Sequence, residues 1–162
     1  AGTLVRADPR TQLGLVRVGI RNAVEALHEC RYEMVTSLSL GIMARGLSDM
    51  SLHSAALAKC DEVERLIQTC GDFLRMPGLN ARGYCLAAAG EPEAAEQSYR
   101  AAIELSRSQG VKSGQVRSTV DLAQLLMGQA RTEEAHRLLR PLVIDAGDEV
   151  SLDLSLARRL LG

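Results

Sequence analysis

The 162-residue chain has no Trp, one Phe and three Tyr, and its apolar fraction of 46% rests mainly on Ala and Leu. That is poor material for a sandwich or barrel, which draw on β-branched and aromatic residues, and good material for closely packed helices. Neither sign of charge dominates: 19 Lys and Arg against 20 Asp and Glu leave a net charge of −1. A basic face for phosphates is therefore not expected, nor direct binding of nucleic acid. No apolar run approaches the length of a membrane span, and Ala1 to Arg6 lack the basic start and apolar stretch of a secretion signal. The four cysteines, Cys30, Cys60, Cys70 and Cys85, include no CxxC pair, which reads as reduced, mostly buried thiols of a cytoplasmic protein. Without an initiator Met, the chain is expected to be a fragment or a processed piece of a larger protein. Its length suits one well-cored domain, 1–162.

Helix punctuation is what the sequence does contain. Asp8-Pro9 reads as a cap with Pro in the first turn, and apolar residues recur at Leu13, Val16, Ile20, Val24 and Leu27. Further helices are expected from about Tyr32 to Leu47, Leu52 to Cys70 and Leu79 to Ala89, with Gly71 and Gly90 as stops. Glu91-Pro92-Glu93 opens the next, with acids at the positive end of the dipole, and Gly110 ends it. Ser113–Met127, Thr132–Val143 and Ser151–Leu161 complete the series. No segment alternates with period two, so the fold class is all-α.

The helices repeat as pairs. Ala56-Cys60-Val63, Ala95-Tyr99-Ala102 and Ala135-Leu139-Leu142 share one spacing, with offsets 95 − 56 = 39 and 135 − 95 = 40. Twelve residues before each Ala stand Ala44, Gly83 and Ala123. Small side chains there let the two helices of a hairpin approach, and the bulkier partners fill the grooves, as a helical solenoid requires. The expected units are hairpins at 32–70, 72–110 and 112–145, a terminal helix at 151–161, and at 8–28 the second helix of an incomplete repeat. Because that first stripe has no evident polar cap, self-association into a homodimer through the N-terminal helix is expected.

Glu91-Pro92-Glu93-Ala94-Ala95-Glu96, through Ala101 to Leu105 and Gln109-Gly110, resembles a tetratricopeptide hairpin with a lengthened second helix. Arg31 to Ser37, Met76-Pro77, Arg117 with Leu122 to Leu126, Glu134-Ala135, Leu138-Leu139 with Pro141, and Asp153-Leu154 with Ala157-Arg158 narrow the likeness. Together they resemble the C-terminal tetratricopeptide region of bacterial transcriptional regulators that carry a winged-helix or class III adenylate cyclase domain and an ATPase domain upstream. Gly114 stands where that family usually carries an aromatic residue, and 145–150 replaces an aromatic, glycine-containing stretch. The resemblance implies a tetratricopeptide-like helical-hairpin solenoid, an α-α superhelix, that senses signals or binds a protein. It implies no chemistry of its own, since DNA binding, cyclase activity and ATP binding belong to the upstream domains.

The residues themselves agree in offering no reaction centre. Gly110-Val111-Lys112-Ser113-Gly114 lacks the Gly directly before Lys of a phosphate loop and follows a helix rather than a strand. His28, His53 and His136 are far apart and no metal-ligand spacing is present, so neither a metal nor another cofactor is expected. Cys60 and Cys85 fall at repeat positions of the core. A binding groove is the better candidate. First helices of stacked hairpins line the concave side, and Arg45, Asn80, Tyr84, Arg117 and Gln124 occupy its solvent-facing positions. Two arginines, two amides and a phenol suit an acidic peptide or a small polar ligand. The expected partner is thus a protein or peptide, or the upstream domains of the same chain, with no membrane involved.

Overall fold

The computed structural model describes residues 35, 36, 38–70 and 75–162, with only the backbone at 67–70, and the helices below belong to the compact unit Thr36–Gly162. They are α1 (residues 38–49), α2 (His53–Cys70), α3 (Arg75–Ala88), α4 (Pro92–Ser108), α5 (Lys112–Gly128), α6 (Thr132–Ala146) and α7 (Leu152–Leu161). Among the described residues there is no strand. The expected helix at 8–28, with its apolar stripe and the self-association inferred from it, lies outside the described residues.

Two helix bounds differ from expectation by three residues or more, and both helices contain a proline. α3 begins at Arg75 rather than Leu79, so Pro77 sits in its first turn, where a missing N–H costs nothing because the first four have no partner within the helix. α6 runs past Val143 to Ala146 with Pro141 inside it. There the proline removes one hydrogen bond, yet Leu139 on the same stretch is fully buried, and tertiary packing outweighs the local penalty.

From α2 to α7 each helix packs on the next, α3 also touches α5 and α5 touches α7, and Ala44 of α1 is buried with Ala56 of α2. Alternate helices therefore form a row. α1 joins that row, since a Cβ at Gly41 would stand 3.6 Å from Ala81 Cβ. The result is an all-α helical-repeat arrangement of hairpins, α1–α2, α3–α4 and α5–α6, followed by α7. The small pairs Ala44/Ala56, Gly83/Ala95 and Ala123/Ala135 are all buried. They face Cys60, Tyr99 and Leu139, which are buried as well. The reason for glycine in the middle pair is the size of its partner. A Cβ on Gly83 would lie 2.8 Å from the Tyr99 ring, whereas the other two pairs face smaller side chains.

The turns repeat too. Glu91 N donates to Leu86 O, Val111 N to Ser106 O and Arg131 N to Leu126 O, each at 2.9 Å, and Leu52 N donates to Leu47 O at the same distance. This closure needs a left-handed residue, supplied by Gly90 (φ 83°) and Gly110 (φ 68°) but also by Ser51 (φ 61°) and Ala130 (φ 62°). A side chain in that region costs about 1–2 kcal/mol, part of which Gly would return through its freer unfolded chain. Ala130→Gly is therefore expected to stabilise the protein by about 0.5–1 kcal/mol. Urea denaturation checks this, and a destabilised variant would refute it.

On the outer side an ion network ties α4 to α6. Arg131 reaches Glu96 (2.6 Å) and Glu134 (2.7 Å), and Arg100 reaches the same two carboxylates at 2.7 and 2.8 Å. The Arg131 guanidinium holds both carboxyls below the usual carboxylate range. Their contribution is thus present above that range and lost as the pH falls through it.

Candidate ligand groove

The row of first helices sets four side chains around one cavity. Arg45 leaves α1 one residue after Ala44, Tyr84 leaves α3 after Gly83, and Gln124 leaves α5 after Ala123, so one repeat position recurs three times along the row. These three and Arg117 line a cavity of about 580 Å³ with Tyr99, Asp121, Asp153 and Arg159. Asn80, the fifth expected residue, is buried in α3 and lines an adjoining cavity of about 350 Å³ together with Arg45 and Arg117. That second space is mostly apolar, walled by Leu38, Ile42, Met76 and Pro77.

Asp121 organises the polar groups. Its Oδ2 accepts from Asn80 Nδ2 at 3.1 Å, Arg117 Nε at 3.4 Å and Arg45 Nη1 at 3.5 Å. Arg45 Nη1 also donates to Asn80 Oδ1 at 3.0 Å, and Asn80 Nδ2 to Ser118 Oγ at 3.2 Å. The Asp121 side chain is only 9% exposed, so its charge is held in a poorly solvated place by cations from two helices. The Arg45 guanidinium lies over the Tyr84 ring, 4.0 Å from its centroid, a cation–π contact that orients it. The Tyr84 hydroxyl donates to Asp49, which raises its pKa above the ordinary phenol value. Arg117 Nη1 extends the chain of contacts to Asp153 of α7 at 3.3 Å. Among the described residues Arg159 and Gln124 find no hydrogen-bond partner, and both are exposed. The cavity thus presents three guanidiniums against two carboxylates, with one cation and one amide uncommitted.

Asp121, Asp49, Asp153, Ser118 and Arg159 were not among the groove residues expected from sequence. Helical arithmetic could have found two of them, because Asp49 and Asp121 each follow a chosen arginine by four residues and share its face. Asp153 and Arg159 had no comparable signal, since the small-residue repeat read from the sequence stops at Ala135, before α7.

The remaining motifs are structural. Gly110 is the left-handed residue after α4 and Lys112 starts α5, so the glycine–lysine stretch is a turn. Gly114 is buried, and a Cβ there would come within 2.5 Å of Met76 Cε; Met76 fills the space where an aromatic side chain would have to sit. The loop at 147–150 is held by Arg158, which donates to Gly147 O (2.8 Å) and Glu149 O (2.9 Å). His136 Nε2 contacts Leu160 O at 3.0 Å. Among the described residues no three His, Cys, Asp or Glu side chains gather as metal ligands, and no helix is long and apolar enough to cross a membrane. No family model, curated protein or solved structure matches the chain.

Proposed function

We propose that this chain is a non-catalytic recognition domain, a tetratricopeptide-like repeat that senses a signal or binds a protein within a bacterial transcriptional regulator. The observation that carries the reading is the convergence of Arg45, Tyr84, Arg117 and Gln124 from three successive first helices on one cavity. A repeat that serves only as a spacer has no need to bring guanidiniums, a phenol and an amide to one concave place. The excess of cations there favours an anionic group, and the guanidinium fork favours a carboxylate. The regulatory setting rests on the resemblance of the sequence alone. A second setting, behind a class III adenylate cyclase domain, uses the same groove, and a freestanding scaffold uses it without a signal. Reading the coding sequence upstream of Ala1 separates the three: a winged-helix segment, a cyclase domain, or a natural start.

The binding claim has its own test. A fluorescently labelled peptide rich in Asp and Glu, titrated with the chain at low salt, should give saturable polarisation. Arg117→Ala combined with Arg159→Ala should weaken it by at least tenfold, the effect of losing about 1.4 kcal/mol. Equal binding by the double variant, or none by the parent, would remove the groove from the proposal.

A further inference from the structure

A pair of thiols lies in the core beside the groove. Cys60 of α2 and Cys85 of α3 are 4% and 0% exposed, free, and 3.9 Å apart sulfur to sulfur. With Ala44 and Ala56 they form the buried cluster where α1, α2 and α3 meet. Ser48 of α1 is 3% exposed, and its Oγ has no hydrogen-bond partner at normal distance; it lies beside Cys85. Elsewhere in the repeat a tyrosine and a leucine, Tyr99 and Leu139, take the buried place of Cys60. Packing alone does not require two thiols to face each other across this joint.

We propose that Cys60 and Cys85 are a thiol pair that hydrogen peroxide oxidises to a disulfide, bonding α2 to α3. The chemistry is asymmetric. The Cys60 S–H donates towards Cys85, and that hydrogen bond lowers the Cys85 pKa while raising that of Cys60. Arg45 adds a favourable charge for a Cys85 thiolate. Cys85 is therefore the attacking sulfur. Its thiolate displaces hydroxide from the peroxide O–O bond and becomes a sulfenic acid, and the hydroxide takes the released thiol proton to form water. Cys60 then attacks the sulfenic sulfur, forming the S–S bond and expelling the second water. Two thiols and one peroxide become one disulfide and two waters. The sulfurs must close from 3.9 Å to the usual 2.05 Å. The pair is buried, so reaction proceeds through local opening of the α1–α2 hairpin. Because Tyr84 directly precedes Cys85, the bond forms at the edge of the groove.

The test treats the native full chain with hydrogen peroxide, blocks remaining thiols after denaturation, and maps linked peptides by mass spectrometry. The expected result is a Cys60–Cys85 link, with a thermal midpoint raised by about 5–10 °C and returned by dithiothreitol. Cys30→Ser with Cys70→Ser should keep both responses. Cys60→Ser should abolish the link and leave a Cys85 sulfenic acid that dimedone captures. The proposal is overturned if both thiols stay alkylatable after peroxide in the double variant. It is equally overturned if the link appears only in denaturant, or if Cys30 or Cys70 supplies the partner instead.

Discussion

Tyr99→Ala is expected to cost about 3–5 kcal/mol, the range for removing a large buried aromatic side chain. Tyr99 is 3% exposed and belongs to the main core cluster with Leu86, Ala95, Leu122 and Leu139. Its ring rests on the bare backbone of Gly83, at a distance no Cβ would tolerate. The two residues are therefore one packing decision, and a paired experiment isolates it. Gly83→Ala should destabilise the parent by about 1–3 kcal/mol through overpacking. In a Tyr99→Leu background the same change should stabilise, because the space is open and Ala is the better helix former by up to about 1 kcal/mol. Urea denaturation of the four proteins at constant m gives the coupling directly. A Gly83→Ala change that stabilises both backgrounds would show that the ring does not depend on the glycine.

Asp121→Ala should cost about 2–3 kcal/mol, below the 3–5 kcal/mol of a wholly buried pair because Arg45 and Arg117 keep 23% and 46% of their side chains exposed. The loss arises less from the bonds themselves than from what they leave behind. Asn80 is 7% exposed and would lose one acceptor, while Arg45 would lose its counter-charge and Arg117 would keep only Asp153. Asp121→Asn should cost less, since one acceptor oxygen remains. A double-mutant cycle with Arg45→Ala should return a coupling that persists in high salt, because the screening that erases exposed pairs reaches this carboxylate poorly. An Asp121→Ala variant within about 0.5 kcal/mol of the parent, the range of ordinary surface changes, would show that the network carries no stability.

These two cases mark where sequence reasoning reaches and where it stops. Ala44, Gly83 and Ala123, each twelve residues before a second small residue, exposed the hairpin register without coordinates, because a helix in a repeat must bury the same stripe every time. The same periodicity put Arg45, Tyr84 and Gln124 on one row of helices. It also read Gly90 and Gly110 as stops, since only a left-handed residue closes such a turn cheaply. Ser51 and Ala130 perform the same closure without glycine and so left no mark.

What the tertiary structure alone decided is which groups meet. Arg45 and Asp121 are 76 residues apart and Cys60 and Cys85 are 25 apart, and no local pattern links either pair. Helical periodicity states which face of a segment is buried. It does not state how closely three helices approach or how far one slides along another, and those distances determine whether a carboxylate reaches one arginine or two. The prolines teach the same lesson at smaller scale: Pro77 and Pro141 carry the same local penalty, and the sequence alone does not say how each is met. One falls in a first turn where its missing donor is harmless, and the other is overridden by the burial of Leu139 beside it. The fold was therefore legible in the order of small and large residues, whereas the groove's polar network was set by interhelical distances that this order does not encode.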